Sequence, residues 1–498
     1  MPQILDMLVV GGGINGAGIA RDASGRGLSV RLVEKGDLAG ATSSVSSKLI
    51  HGGLRYLEHG AFRLVREALA EREVLLASAP HIVCPLRFVL PHDSSLRPRV
   101  VLRLGLFLYD YLGGRRTLPG TETVRLRTHS YGKPLQSRLT TGFVYSDCFA
   151  QDARLVIANA RDAAARGAQI LTRTEMRNAR RENGHWCISI ERDGRIDEVV
   201  ARILVNAAGP WVVDILHRSG ISHSTPQVRL IKGSHIVVPK LYDGAQAYIL
   251  QNDDSRVIFV IPYEEQFSLI GTTDMPFAGE RDHVAIDQTE IDYLCRAVSR
   301  WFAKPVSVKE VVWSYAGVRP LYDDHEADAS TVTRDYVLDI DPGERGAPIL
   351  SVFGGKLTTY RRLAEHSMEK LALFLPGLKR PWTAGATLPG GDLPHGDVQA
   401  YADGLARDYP FLKAAQALRL TRSYGTDARK ILGSARKSED LGRTFGYGFS
   451  ARELQWLVHE EWARTGEDVL WRRSKLGLHL DPAAIAAITE IFATSPAT

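Results

Sequence analysis

Gly11, Gly13 and Gly16 fall in the spacing GxGxxG, straight after the apolar run MLVV and straight before a segment of helical periodicity. Glycines at those places permit a tight turn, let the backbone come close to a pyrophosphate, and set that anion at a helix N-terminus. Asn15 sits within the same turn. Glu34 closes the next apolar run, VRLV, at the separation of roughly 20 residues where a carboxylate holds a ribose hydroxyl. The set predicts a dinucleotide site, and an acidic residue there disfavours a 2′-phosphate and so NADP. A second cluster, KLIHGGLRYLE at 48–58, gathers His51, Arg55 and Tyr56 around Gly52 and Gly53. Histidine exchanges protons near neutral pH, and arginine offers a rigid fork that fits phosphate. His235 in KGSH and Arg319 in GVRPL repeat those chemistries later in the chain. The expectation is a pocket holding a small anion beside a proton acceptor, with His51 and His235 both candidates for the base.

These residues need elements to position them. Asp6–Val10 and Ser29–Glu34 read as parallel strands joined by a helix through about Gly25, a βαβ unit whose unbroken apolar runs fit burial on both faces. The run ATSSVSSK offers Thr42, Ser43, Ser44, Ser47 and Lys48 to pyrophosphate and ring edges, with a serine-rich linker as the competing reading. A helix over Phe62–Ala77 follows, then a turn-rich, basic stretch to about 150, then a helix over Asp152–Arg166 stopped by Gly167. Period-two alternation over 168–205 predicts a meander that returns to the first sheet. IKGSHIVVP, VIFVIPY, FSLIGTTD and YVLDI predict an antiparallel sheet in a second domain. PWTAGATLPGGDLPHG reads as a linker, and the remainder as helical.

The dinucleotide fingerprint serves NAD and FAD alike. Two later strand-and-turn segments favour FAD, whose site is revisited after long excursions. One is Asn206-Ala207-Ala208-Gly209-Pro210 after ILV, and the other is SVFGGKLTTY, with Gly354, Gly355, Lys356, Leu357 and Thr358 ahead of a helix. A lysine beside a helix N-terminus would stabilise negative charge on a reduced flavin ring.

The 498 residues suggest two to four domains, and 44% hydrophobic with 24% charged residues is the balance of a globular protein. Cys84, Cys148, Cys187 and Cys295 lie far apart, so neither a disulfide framework nor a metal site is expected, and a reducing cytoplasm is. MPQILDMLVVGGG runs straight into a strand and a glycine turn, so no signal or transit peptide is expected. The most apolar segment, VVLRLGLFLYDYLGG, is broken by Arg103 and Asp110 and falls short of a membrane span, which needs roughly 18–20 apolar residues. A net charge of +5 suits an anionic lipid surface, an anionic substrate or simple solubility. No nucleic-acid-binding module is visible.

GGGINGAGIARDASGRGLSV, ATSSVSSKLIHGGLRYLEHG, RLIKGSHIVVP, IGTTD, YAGVRPL, SVFGGKLTTYRRLAEH and EEWARTGEDVLWRRSKLGL together resemble the FAD-dependent glycerol-3-phosphate dehydrogenases of the respiratory chain. The resemblance covers nearly the whole sequence. It implies an α/β (α+β) fold: a glutathione-reductase-like Rossmann FAD domain, an antiparallel-sheet substrate domain of D-amino-acid-oxidase type, and a C-terminal helical domain. The expected boundaries are 1–80, 145–225 and 345–378 for FAD, 81–144 and 226–344 for substrate, and 379–498 for the helical domain. It further implies oxidation of sn-glycerol 3-phosphate to dihydroxyacetone phosphate by hydride transfer to FAD, with electrons passed to a membrane quinone. No cysteine follows Cys295 to match the cysteine-rich module of the anaerobic relatives, and the transit peptide and calcium loops of mitochondrial relatives are not visible. What remains is the bacterial aerobic subtype, a homodimer attached peripherally to the cytoplasmic face of the inner membrane.

Arg55 and Arg319 are then expected on the substrate phosphate, and His51 or His235 as base. Lys356 is expected to stabilise the reduced flavin or bind the substrate, and Tyr56 and Thr272 to hydrogen-bond the phosphate or hydroxyl. Residues 99–115 are the guess for membrane contact, with an ordinary buried helix competing. The alternative activities are an oxygen-dependent glycerophosphate oxidase, an amine oxidase of D-amino-acid-oxidase type, and an FAD protein that binds or modifies RNA.

Overall fold

The apolar run Leu5–Val10 forms strand β1 of the computed structural model, which describes residues 4–93, 98–113, 117–221, 228–254, 256–322, 335–343 and 346–494. Helix α1 (Ile14–Gly25) and β2 (Val30–Val33) complete the βαβ unit, with β1 and β2 parallel. Met7 and Val9 point into one core cluster and Leu8 and Val10 into another, so β1 is apolar without alternation. Next come β3 (Leu49–Ile50), α2 (Phe62–Ser78), β4 (Val83–His92), α3 (Arg99–Leu112), β5 (Glu122–Arg125) and β6 (Thr141–Ala150). Helix α4 (Asp152–Ala165) and β7 (Gln169–Leu171) precede the meander β8 (Thr174–Glu182), β9 (His185–Arg192) and β10 (Arg195–Asn206), closed by α5 (Val212–Arg218).

The second unit is built from β11 (Val228–Pro239), β12 (Ala247–Gln251), β13 (Val257–Tyr263), β14 (Phe267–Gly271), β15 (Met275–Pro276), α6 (Gln288–Ser299) and β16 (Trp313–Tyr322). Strands β17 (Val337–Asp341) and β18 (Ile349–Phe353) and helix α7 (Tyr360–Leu371) return to the first. Helices α8 (Val398–Asp408), α9 (Ala414–Tyr424), α10 (Ala428–Leu432), α11 (Ala451–Glu461) and α12 (Pro482–Thr494), with a π-helical turn at Asp468–Arg473, enclose a separate core around Leu405, Leu420, Phe449 and Leu457.

The first sheet runs β17-β18-β10-β1-β2-β7, with β9 on β10 and β8 on β9, and α1, α4 and α7 cover one face. The second runs β15-β11-β14-β13-β12-β4-β6-β3, with β16 on β11 and β5 on β6. Three expectations change. YVLDI, expected in the second sheet, is β17 and pairs antiparallel with β18 from Val337↔Phe353 to Asp341↔Ile349, with Leu338 buried in the first core. Leu49–Ile50 and the whole of β6 belong to the second sheet, because β6 is hydrogen-bonded along its length to β4 and at one end to β3. The turn-rich stretch expected before 150 instead contains two ten-residue strands, a four-residue strand and a 14-residue helix. Among the described residues no helix is long and apolar enough to cross a membrane, and no group of His, Cys, Asp and Glu could hold a metal ion.

Candidate active site

The turn after β1 is shaped for close approach. Gly11 has φ of +112°, and a Cβ there would collide with the Ala207 carbonyl. A Cβ on Gly16 would collide with the Gly11 carbonyl, so the turn and the start of α1 are in backbone contact. The N-cap residue of α1, Gly13, brings no side-chain cap, and the first helical turn holds no acidic residue, which leaves the positive end of the dipole for an anion. Glu34 accepts from Gly12 N at 2.6 Å and Gly36 N at 2.7 Å. Burial pushes its carboxyl up, and those two amides pull it back. Ser43 Oγ accepts from Ile14 N at 3.0 Å, Thr42 donates to the Val318 carbonyl at 2.7 Å, and Ser44 donates to Ala41 O at 3.3 Å. Asn15 Nδ2 donates to Gly354 O at 3.1 Å, while its Oδ1 is buried with no hydrogen-bond partner among the described residues.

Gly11, Gly13, Asn15, Glu34 and Thr42–Ser44, with Ala208, Gly209, Gly354 and Gly355, line one cavity of about 1030 Å³. A cavity of this size with a glycine turn and helix N-terminus, a carboxylate at the end of β2 and an unsatisfied buried amide oxygen fits FAD in size and chemistry. The 206–210 and 351–360 segments come to this cavity because β10 and β18 flank one another beside β1 in the first sheet.

The other wall comes from the second sheet. Register places Gly233 opposite Gly317, His235 opposite Tyr315 and Ile231 opposite Arg319, so β16 carries Arg319, Gly317 and Tyr315 along one face. A Cβ on Gly233 would lie 2.6 Å from Thr272 Oγ1 and 3.1 Å from Arg319 Nη2, so glycine there lets hydroxyl and guanidinium converge. Arg319 is ion-paired with Asp274. Lys356 stands 4.0 Å from the centre of the Tyr56 ring, and Thr358 joins His51 through both its backbone N, at 3.2 Å, and its O, at 3.4 Å. The 51–56 loop and the 354–358 turn are therefore one assembly. Gly52 N donates to the Tyr109 hydroxyl at 2.8 Å, and Tyr109 donates to Asp147, itself paired with Arg72 at 2.9 Å. Burial raises the Asp147 carboxyl to about 6, against the opposing pull of Arg72.

His235 is buried, with Nε2 2.9 Å from Ser47 Oγ and its ring stacked on Tyr315 at 4.9 Å. Burial, then the nearby Lys48 and Arg319 charges, lower it to about 3. Ser47 thus supports a histidine. Lys48, expected on the cofactor, is buried in an ion pair with Asp152 at 2.8 Å and donates to Ser44 O at 2.9 Å. Its ammonium thus ties the 42–48 loop to the start of α4. Leu357 packs against the first core. The side chain of Arg55 lies outside the described residues.

Asp152, Tyr315, Asp274 and Gly233 were missed by the sequence reading, as were Trp471, Arg472 and Lys475 of the C-terminal domain, which line the cavity. The glycine of KGSH, two residues before His235, was the one local signal available for Gly233.

The family described as DAO, FAD dependent oxidoreductase, matches residues 6–361, and the C-terminal domain of alpha-glycerophosphate oxidase matches residues 382–495. The chain is 52% identical over 493 residues to D-erythritol 1-phosphate dehydrogenase of Brucella abortus, covering 99% of this chain and 98% of that one. It is also 52% identical over 478 residues to aerobic glycerol-3-phosphate dehydrogenase of Escherichia coli, covering 96% and 95%. The glycerol-3-phosphate dehydrogenase from Bacillus halodurans complexed with FAD superimposes with a TM-score of 0.78 at 28% identity, over 99% of this chain and 92% of that one. With the cradle fitted to a dinucleotide and these matches along nearly its whole length, the chain belongs to the FAD-dependent glycerol-3-phosphate dehydrogenase family, and FAD is its cofactor.

Proposed function

We propose that the protein oxidises the secondary alcohol of sn-glycerol 3-phosphate to the ketone, giving dihydroxyacetone phosphate, and that the electrons pass to a quinone at a membrane surface. The observation that carries this is the convergence of Thr272 and Arg319 across Gly233, beside the FAD cavity. FAD, when bound, supplies the hydride acceptor. Arg319, held by Asp274, and Arg55 bind the phosphate dianion; Thr272 and Tyr56 orient it by hydrogen bonds. The hydroxyl proton leaves to a histidine as the carbon gives up hydride. His51 suits that work better than His235, whose ring burial has made weakly basic at neutral pH. Lys356 on the 351–360 segment would stabilise the negative charge that FAD gains on reduction.

Attachment to the membrane is assigned to α3. It buries Leu102, Leu106 and Tyr109 and leaves Val100, Leu104, Phe107 and Tyr111 exposed at helical spacing. The homodimer and the location on the cytoplasmic face of the inner membrane come from the resemblance of the sequence.

The test is anaerobic bleaching of the yellow holoprotein by sn-glycerol 3-phosphate, followed by reoxidation with a soluble quinone. Rapid peroxide formation in air without quinone would favour a glycerophosphate oxidase. A second reading, D-erythritol 1-phosphate as substrate, is favoured by the Brucella relative, which matches as well as the glycerol-3-phosphate enzymes. Faster bleaching by the longer polyol phosphate would select it.

A further inference from the structure

The C-terminal domain has no part in the chemistry above, yet it grips the loop that positions Glu34. Asp37, three residues on, is buried and receives three N–H groups from that domain. Arg473 donates Nη1 to Oδ2 at 2.5 Å and Nη2 to Oδ1 at 2.7 Å, a two-pronged pair, and Arg472 donates Nε to Oδ2 at 2.6 Å. The fully buried Arg473 is held in turn by the Glu461 carbonyl, through Nε at 2.9 Å and Nη2 at 2.6 Å. Arg173, whose backbone N donates to Gly36 O at 2.8 Å, reaches Asp468 at 2.8 Å, so the loop is pinned from both sides. On its inner side the same loop touches the glycine turn: Gly12 N and Gly36 N bond Glu34, and Ala39 N donates to Gly12 O at 2.9 Å.

A buried ion pair contributes little net stability once desolvation is counted, but it fixes geometry. Here the geometry it fixes is the Glu34 loop, and Gly36, Asp37 and Arg472 all line the cavity. The two arginines are consecutive in a π-helical turn, a device found often at functional sites.

We propose that the C-terminal domain is a latch for the cofactor: Arg472 and Arg473 act as positioning residues that hold Asp37, and through it Glu34, in the conformation that retains FAD. By linkage, bound FAD tightens the docking of the domain by the same factor.

The experiment follows the release of FAD from diluted holoprotein by the rise in free-flavin fluorescence. Asp37→Asn, which keeps the shape of the side chain, and Arg473→Met should each release FAD at least tenfold faster than wild type, and the double variant no faster than the worse single one. Arg161→Met is the control. It breaks another contact between the domains, Arg161 with Asp427 at 2.9 Å, without touching the loop. It should lower the melting temperature and leave the release rate unchanged. Release that is unaffected in Asp37→Asn, or accelerated equally by Arg161→Met, would overturn the latch. Should Arg473→Met fail to fold, Asp37→Asn against Arg161→Met decides alone.

Discussion

Ser47 Oγ lies 2.9 Å from His235 Nε2, and the ring so held is stacked on Tyr315 in a site closed to water. Unfolded, this ring takes up a proton below its ordinary value of about 6.5. Folded, it resists protonation down to about pH 3, for which burial is the main cause. The folded pKa is depressed, so acidification through this window favours the unfolded chain and the residue becomes a liability as pH falls. His235→Gln removes that liability. Between pH 7 and 5 the stability difference should move by about 2 kcal/mol in favour of the variant. Denaturant unfolding of both proteins at the two pH values measures it, and a constant difference would mean that the ring is not protected from water.

The two histidines should separate kinetically. If His51 accepts the hydroxyl proton, flavin reduction by substrate rises with pH along a limb set by that one ionisation, and His51→Ala abolishes the limb. His235→Asn should slow reduction but keep the limb, since a group titrating at about 3 contributes none near neutrality. Stopped-flow reduction from pH 5.5 to 8.5 distinguishes them. Loss of the limb in His235→Asn alone would reverse the assignment.

Arg319 and Asp274 form one unit, in which the carboxylate aims the guanidinium. Arg319→Ala should lower kcat/KM for sn-glycerol 3-phosphate by about a hundredfold, mostly through KM, as expected for the loss of charged hydrogen bonds to phosphate. Asp274→Asn should cost about tenfold, because the cation remains but is less well placed. The FAD spectrum should be retained in both. Kinetics of Arg319→Ala matching wild type would remove this arginine from the phosphate site.

Local signals were enough to mark the segments that meet at the cavity. The glycine turn, Glu34 and the 206–210 and 351–360 segments carry their chemistry within a few residues, and β1, α1 and β2 form near the expected places. What depended on distant partners was not legible. Lys48 looks like an anion ligand until Asp152 is seen beside it. YVLDI has the composition of a strand, but only pairing with β18 decides its sheet. The Asp37–Arg473 pair spans 436 positions, and nothing near either residue marks it. Strand β4 was hidden by Pro85, Arg87 and Pro91, residues that lower its apparent strand propensity although its pairing with β6 is continuous.

Helix α3 supplies the last prediction. Val100, Leu104 and Tyr111 are each at least 60% exposed and Phe107 is 54% exposed, on a helix whose opposite side is already buried through Leu102 and Leu106. A soluble surface rarely keeps such a stripe without a use, and burying one Leu or Phe is worth roughly 1.5–3 kcal/mol. Leu104→Glu and Phe107→Glu should therefore each weaken binding to anionic phospholipid vesicles by tenfold or more. Reduction of the flavin by substrate in solution should not change, because α3 faces the site with its buried side, where the Tyr109 hydroxyl accepts from Gly52 N, and Leu104 and Phe107 lie on the exposed side. Vesicle co-sedimentation alongside anaerobic bleaching checks both arms. Undiminished binding by the double variant would remove α3 as a membrane contact, and slowed bleaching would mean that the stripe supports the 51–56 loop instead.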